Sequence, residues 1–97
     1  MLYTINNSSI TSNAFDSLLR IIPDGEPILF YEDGVYNAVK GSRDEKKVID
    51  ASVKHAIFAI DADLEARGVK NVLAEVKVIG YDGFVGLVEE HDVVPWL

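Results

Sequence analysis

The sequence predicts an α/β fold, a single three-layer α/β/α domain with a mostly parallel sheet. Three observations predict it. Apolar runs of strand length alternate along the chain with apolar residues at helical spacing, which is typical of a parallel sheet covered by helices on both faces. The run Pro27–Tyr31 is apolar without polar alternation, which suits a strand buried on both faces. The chain has 97 residues without a repeat or a linker, so one domain is predicted over residues 1–97.

The N-terminal part of the chain predicts a strand followed by a helix. Residues Leu2–Ile5 form a short apolar strand candidate. A stripe at i, i+3, i+4 and i+7 then predicts the first helix, and Pro23-Asp24-Gly25 ends it. Ser12 or Asn13 stands where a helix cap is expected. The members of the stripe are Phe15, Leu18, Leu19 and Ile22.

The middle of the chain predicts a buried strand and two short helices. Pro27–Tyr31 is the strand, and Gly34–Lys40 is a short helix that Gly41 ends. Residues 42–45 read Ser-Arg-Asp-Glu, the S-x-x-E form of a capping box, which predicts a second helix over Arg43–Asp50.

The remaining segments repeat the alternation. Val53–Ile60 and Val72–Ile79 are strand candidates, and Asp61–Gly68 between them is a short helix with acids first and glycine last. Asp82 is predicted to cap a last helix, and Pro95-Trp96-Leu97 is interpreted as a tail. The apolar stripe of the last helix is Phe84, Leu87, Val88 and His91.

Carboxylates follow the predicted strands, and parallel strands bring them to one edge of the sheet. They support two hypotheses. Oxygen ligands at such an edge suit a magnesium site for phosphoryl transfer, with Asp33, Asp61 and Asp63 as its residues. Alternatively, Asp33, Asp61 and Asp82 cap the helices that follow, and Gly34 allows a tight turn. Capping is favoured because each acid stands within a residue or two of a helix start. The five carboxylates are Glu32, Asp33, Asp61, Asp63 and Asp82.

Charge and composition exclude several functions. The formal net charge is −7, and the one basic cluster, Arg43 with Lys46 and Lys47, is interleaved with acids. Direct binding of nucleic acid by this chain is therefore not expected. Cysteine is absent, which excludes disulfides, thiolate metal sites and a persulfide on this chain. No apolar run reaches the ~20 residues that cross a bilayer, and the N-terminus is unlike a signal peptide, so the expected location is the cytoplasm.

Four segments in order resemble the TusB/DsrH family of sulfur-relay proteins. The opening MLYTINNS at 1–8 resembles the family's MLHTLN-x-S, with tyrosine where histidine is common. EDGVY at 32–36 and DLEARGV at 63–69 resemble its (E/Q)DGVYAA and DLxARGL segments. YDGFVGL at 81–87 with the terminal Trp96-Leu97 resembles DYxGFVxL and the tryptophan near the end.

The resemblance implies a DsrEFH-like fold and a hetero-oligomer. The implied partners are TusC/DsrF-like and TusD/DsrE-like paralogous subunits, commonly in a heterohexamer, with the active cysteine on the TusD-type subunit. It implies a non-catalytic subunit without cofactor, catalytic or metal residues, acting in 2-thiolation of the tRNA wobble uridine. Some DsrH members carry a cysteine in the first helix, and this chain has none there. The residues expected at the interface are Glu32, Asp33, Tyr36, Tyr81, Phe84 and Trp96.

Other functions stay open on the sequence. A related complex of the Dsr type would serve sulfur oxidation. A small magnesium-dependent protein would use the carboxylates described above. A self-associating scaffold would form a homo-oligomer without paralogous partners.

Overall fold

The computed structural model describes residues 1–96, and its frame is a five-stranded, all-parallel sheet. The sheet confirms the predicted α/β class. The strands lie in the order β4-β3-β2-β1-β5, so β1 is interior and β5 is an edge. Their bounds are Leu2–Ile5 for β1, Ile28–Phe30 for β2, Ile57–Ile60 for β3, Val76–Ile79 for β4 and Val93–Trp96 for β5.

Four α-helices and one 3₁₀ helix connect the strands. Three crossovers, from β1 to β4, step along the sheet in one direction, and the last steps back past β1 to β5. Because parallel crossovers are right-handed, the last helix must lie on the opposite face from the others. Within residues 1–96 no helix is long and apolar enough to span a bilayer. The helices are α1 (Ala14–Ile21), the 3₁₀ helix (Glu32–Ala38), α2 (Glu45–Ser52), α3 (Asp61–Ala66) and α4 (Tyr81–Glu90).

The main core lies on the sheet face covered by α1, the 3₁₀ helix, α2 and α3, called here the core face. Phe30 of β2 meets Phe15 of α1 edge to face, with ring centroids 5.3 Å apart. Both rings are buried, and such a pair adds to the free energy gained from burial alone. The other strand side chains on this face include Tyr3, Ile5, Ile28, Ile57 and Ala59.

The opposite face, called here the α4 face, has a thinner cover. Leu2 and Leu29 point to it and are fully buried. Successive strand residues alternate between faces, so Thr4 lies on the α4 face beside Leu29, its register partner in β2. The helix α4 is the one connection on this face and has no buried residue. This sparse cover leaves room for a cavity between α4 and the sheet.

The C-terminal tail was predicted wrongly, because residues 93–96 form the edge strand β5. Pro95 pairs with Thr4 and Trp96 with Ile5 in the parallel register. Proline lacks the N–H that an interior strand needs, and an edge strand tolerates it. Leu97, the last residue of the expected tail, lies outside the described residues. The strands expected over Val53–Ile60 and Val72–Ile79 are confirmed only in their second halves.

Two predicted helix starts were also wrong. The 3₁₀ helix begins at Glu32 rather than Gly34, and α2 begins at Glu45 rather than Arg43. The expected capping box does not form, because Oε1 of Glu45 accepts a hydrogen bond from the N–H of Gly41 at 3.1 Å. The hydroxyl of Ser42 is buried without a partner among the described residues.

Gly34 serves close packing rather than the turn predicted for it. Its φ is not positive; the left-handed φ of 49° belongs to Glu32, two residues before it. A Cβ at Gly34 would lie 2.1 Å from the carbonyl oxygen of Ile5. Only glycine therefore lets the 3₁₀ helix lie against the end of β1.

Candidate functional site

An ionic cluster joins the 3₁₀ helix to α3 at the carboxyl edge of the sheet. Nε of Arg67 donates a hydrogen bond to Oδ1 of Asp33 at 2.8 Å. Nη1 of Arg67 lies 3.7 Å from Oδ1 of Asp63. The hydrogen bond to Asp33 favours the charged guanidinium and raises the pKa of Arg67 above its ordinary value. One cation therefore compensates two of the predicted edge carboxylates.

The same cluster holds an unusual backbone conformation. Oδ2 of Asp63 accepts a hydrogen bond from the backbone N–H of Glu32 at 2.9 Å. A left-handed φ is uncommon for a residue with a side chain, and the φ of Glu32 is 49°. Asp63 thus fixes the direction in which the chain leaves β2.

The structure contradicts the predicted capping roles of three acids. The residues at the cap positions are Tyr31, Ile60 and Gly80, and none makes a side-chain capping hydrogen bond. Each predicted acid instead lies in the first turn of its helix, where the helix dipole favours a negative charge. These acids are Asp33 in the 3₁₀ helix, Asp61 in α3 and Asp82 in α4.

Residues 1–96 contain no group of side chains that could serve as the ligands of a magnesium ion. No three histidine, aspartate or glutamate side chains there are grouped closely enough to hold a metal ion. Asp33 and Asp63 are engaged by Arg67 instead. Asp61 is engaged locally, since its Oδ1 accepts a hydrogen bond from the N–H of Ala62 at 2.6 Å. Of the five carboxylates expected at this edge, Asp33 and Asp63 come together, as ion-pair partners of Arg67.

A cavity of about 480 Å³ lies on the α4 face at the carboxyl ends of the strands. Its size is within the range of small-molecule and side-chain pockets in proteins. Six elements contribute, namely β1, β2, β3, α3, α4 and β5, so it exists only in the folded chain. Its apolar wall is formed mainly by Leu29, Ile60, Phe84, Val93 and Pro95. Its polar lining is formed by Thr4, Tyr31, Asp61, Asp63 and Tyr81.

Thr4 contributes a polar side chain to the cavity. The residue is 5% exposed and lines the cavity. The buried side-chain atoms without a partner in residues 1–96 belong to Asn6, Ser42 and Asp44 and do not include the Thr4 hydroxyl, so this hydroxyl is open to solvent in the cavity. It can donate a hydrogen bond to a ligand there or accept one.

The six residues expected at an interface lie in three places. Glu32, Asp33 and Tyr36 lie on the 3₁₀ helix, and Tyr36 is 39% exposed. Tyr81 and Phe84 line the cavity, where Tyr81 is the most exposed aromatic side chain of the described chain at 78%. Trp96 lies on β5 with its ring 6.4 Å from that of Tyr3, on the core face. The first two groups share the carboxyl edge, and Trp96 points away from the cavity.

The sequence reasoning missed Thr4 and Asp44. Thr4 stands within an apolar run and shows its role only when β1 pairs with its neighbours. Asp44 is 1% exposed, and neither carboxylate oxygen has a hydrogen-bond partner among the described residues. Lys47 Nζ lies 3.8 Å from it, at ion-pair distance only. Its position inside a charged segment predicted a solvated side chain, so no sequence signal was available.

The fold and cavity together define a small all-parallel α/β domain with a cavity at the carboxyl edge of its sheet. The family model described as DsrH like protein matches residues 7–94. The chain belongs to the DsrH family, a family of sulfur-relay subunits that includes the TusB proteins.

Curated relatives share this assignment over nearly their whole length. Protein TusB of Serratia proteamaculans (strain 568) is 36% identical over 92 residues, which cover 94% of each chain. Protein TusB of Escherichia coli (strain K12) is 34% identical with the same coverage. Protein TusB of Photorhabdus laumondii is 33% identical over 98 residues, covering 99% of this chain and 100% of the relative.

A solved structure shares the fold. It is that of MTH1491, a protein of unknown function from Methanobacterium thermoautotrophicum, with a TM-score of 0.71 and 17% identity. The match covers 97% of this chain and 96% of the other. At that identity, the likeness concerns architecture alone.

Proposed function

We propose that this chain is a non-catalytic subunit of a sulfurtransferase complex that supports 2-thiolation of the tRNA wobble uridine. One observation carries the proposal: the chain matches the DsrH family over residues 7–94 and contains no cysteine. A relay through persulfides needs a thiolate nucleophile. The chain cannot carry sulfur in that form, so its contribution is to complete and shape an assembly whose active cysteine lies on another subunit.

The proposed partners are TusC/DsrF-like and TusD/DsrE-like paralogous subunits, in a cytoplasmic heterohexamer. The names of the curated relatives favour the tRNA pathway over sulfur oxidation. The absence of cysteine from α1 supports the same choice. The net charge of −7 supports a role without direct contact to tRNA.

The proposed interface includes the carboxyl edge of the sheet. Tyr81 exposes 78% of its surface there, and Tyr36 on the 3₁₀ helix exposes 39%. Exposed aromatic side chains are enriched at the cores of protein interfaces. Glu32, Asp33 and Phe84 lie on the same edge, and Trp96 supports it from the core face.

The test combines a gene deletion with purification of the complex. Deletion is expected to abolish 2-thiouridine in the affected tRNAs, measured by mass spectrometry of nucleosides, and plasmid-borne wild type should restore it. A tagged chain should purify with two similar-sized subunits, one of which forms a persulfide. Normal thiolation after deletion would contradict the tRNA role. Purification as a homo-oligomer without partners would contradict the subunit role altogether.

A further inference from the structure

We propose that the cavity on the α4 face receives a lysine or arginine side chain of a neighbouring subunit, which enters with its apolar stem against the cavity wall. This inference rests on the proposed function, because it names the chemistry of the partner at the same edge of the sheet. It adds to the proposed interface a defined pocket that binds one side chain of the partner.

The apolar wall suits the stem of such a side chain. Leu29 is fully buried at the sheet surface, and Phe84 is half-buried on α4 opposite it. Lysine and arginine bury their methylene groups along apolar surface while keeping the charged end among polar groups. The volume of about 480 Å³ is ample for one long side chain.

The charge around the cavity favours a cation. No lysine, arginine or histidine lines it, whereas Asp61 and Asp63 do. Asp63 is compensated by Arg67, but Asp61 forms no ion pair within the described chain. Glu32 and Asp82 adjoin the lining residues Tyr31 and Tyr81 and are exposed. The cavity lining therefore carries one carboxylate, Asp61, that no cation of the described chain compensates.

The polar groups inside the cavity fit a donor. Lysine and arginine carry N–H donors and no acceptor. The hydroxyl of Thr4 and the carboxylate of Asp61 can both accept hydrogen bonds, and both residues line the cavity. The rings of Tyr31 and Tyr81 also line it, and aromatic faces attract cations. An acidic occupant would be repelled by Asp61, and a purely apolar occupant would make no ionic contact with it.

A second copy of this chain fits the site less well. The chain carries a net charge of −7, and the cavity lining carries the uncompensated carboxylate of Asp61. Like-charged surfaces oppose association and slow encounter. A paralogous subunit that presents a basic side chain satisfies the charge requirement.

The test uses the complex purified with its paralogous subunits and two matched pairs of variants. Ala62 lines the cavity, so Ala62→Phe should block it; Ala66, one turn further along α3 and also exposed, provides the control Ala66→Phe. Asp61→Asn removes the uncompensated charge, and Asp24→Asn removes an exposed acid away from the cavity. We expect Ala62→Phe and Asp61→Asn to weaken subunit affinity about tenfold, and both controls to match wild type. Asp61→Asn should also reduce the dependence of affinity on salt.

The outcomes separate the two proposals. If the wild-type complex forms and all four variants bind alike, the cavity proposal is overturned and the subunit role stands. If no complex forms with wild type, the subunit role itself fails. Native mass spectrometry and light scattering of the isolated chain complete the test. A retained small molecule that Ala62→Phe displaces, or a homodimer that Ala62→Phe dissociates, would overturn the assignment to a partner's basic side chain.

Discussion

Asp33 and Arg67 are 34 positions apart, and Nε of Arg67 donates a hydrogen bond to Oδ1 of Asp33 at 2.8 Å. The pair ties the 3₁₀ helix after β2 to the end of α3, which follows β3. Both residues belong to the segments that resemble the family, EDGVY and DLEARGV. Their ion pair therefore joins these two motifs in space and holds the geometry of the carboxyl edge of the sheet.

Asp33→Asn is expected to lower the midpoint of urea unfolding modestly. The substitution weakens a charge-assisted hydrogen bond but leaves Asp63 beside Arg67. Because the side chain of Asp33 is 63% exposed, added salt should shrink the difference from wild type. Asp24→Asn, at an exposed acid 3.8 Å from Lys54, is the control and should have less effect. Equal effects of the two variants would contradict a special role for Asp33.

Gly34→Ala is expected to destabilise the protein by about 3 kcal/mol, because its Cβ would collide with the carbonyl oxygen of Ile5. The three atoms nearest to that Cβ are backbone atoms of Ile5 and Asn6, so no flexible side chain can move aside. Gly86→Ala is the matched control, since a Cβ there meets nothing within 4 Å and the residue lies inside α4. It should stabilise by about 0.5–1 kcal/mol through helix propensity. Chemical denaturation measures both; similar values for the two variants would refute the close-packing role of Gly34.

Trp96→Ala is expected to lower stability, whereas Tyr81→Ala is expected to weaken assembly. Trp96 is half-buried and packs edge to face on Tyr3, so its loss should cost about 2 kcal/mol in thermal or urea unfolding. Tyr81 is 78% exposed, and its loss should change stability by less than about 0.5 kcal/mol. Tyr81→Ala should nevertheless weaken assembly with the proposed partners. A variant Tyr81→Ala that assembles like wild type would remove this residue from the interface.

Lys47 links α2 to α1, and its contribution should depend on alkaline pH. Nζ of Lys47 lies 2.6 Å from Oδ1 of Asp16, and this hydrogen bond raises the pKa of Lys47 above its ordinary value of 10.5. A raised pKa in the folded state means that the stabilisation is fully present below pH 10.5 and is lost as pH rises through the folded value. Both side chains are about two-fifths exposed, so solvent screening limits the contribution of this ion pair to the free energy of unfolding to about 0.5 kcal/mol.

The measurement is the difference in unfolding free energy between wild type and Lys47→Met below and above that pH. The control is Lys46→Met, at the exposed neighbouring lysine. It removes the same charge, but Lys46 forms no ion pair within the described residues. A difference that persists unchanged at high pH would contradict the ionic origin of the effect.

Magnesium is expected to leave the melting temperature of the isolated chain unchanged relative to sodium chloride at the same ionic strength. Arg67 already engages Asp33 and Asp63, and no three-carboxylate group exists in the described part of the chain. A ligand that binds only the folded state raises the melting temperature. A magnesium-specific increase that Asp61→Asn abolishes would restore the phosphoryl-transfer hypothesis.

Hydrophobic periodicity predicted the elements whose burial is strong. The stripe from Phe15 to Ile22 became α1, and the run around Ile28–Phe30 became a strand buried on both faces. β5 was not predicted because it contains Pro95, which is uncommon inside strands and led to the interpretation of residues 95–97 as a tail. Its strand conformation depends on pairing with β1, and that information lies at the other end of the chain.

The candidate site was predictable only in part. The order of strands and acids predicted that five carboxylates would meet at one edge, and of these Asp33 and Asp63 share Arg67. The five are Glu32, Asp33, Asp61, Asp63 and Asp82. The roles of these acids were mistaken because helix boundaries were uncertain by one or two residues, and a cap depends on the exact position. The partner of Asp33 is Arg67, a contact set by tertiary packing. The cavity requires six elements at once, so no local pattern indicates Thr4 as part of its lining.

The pairing of β1 with both β2 and β5 also constrains how the chain reaches its native state. One neighbour of β1 is early in the sequence and the other is at residues 93–96, so closing the sheet requires the longest loop in the chain. Folding should therefore be slow for a chain of this size, with the docking of β5 as a late step. Until that step, Leu2–Ile5 presents an unpaired apolar edge on which another chain can add a strand. Refolding yield should consequently fall as protein concentration rises.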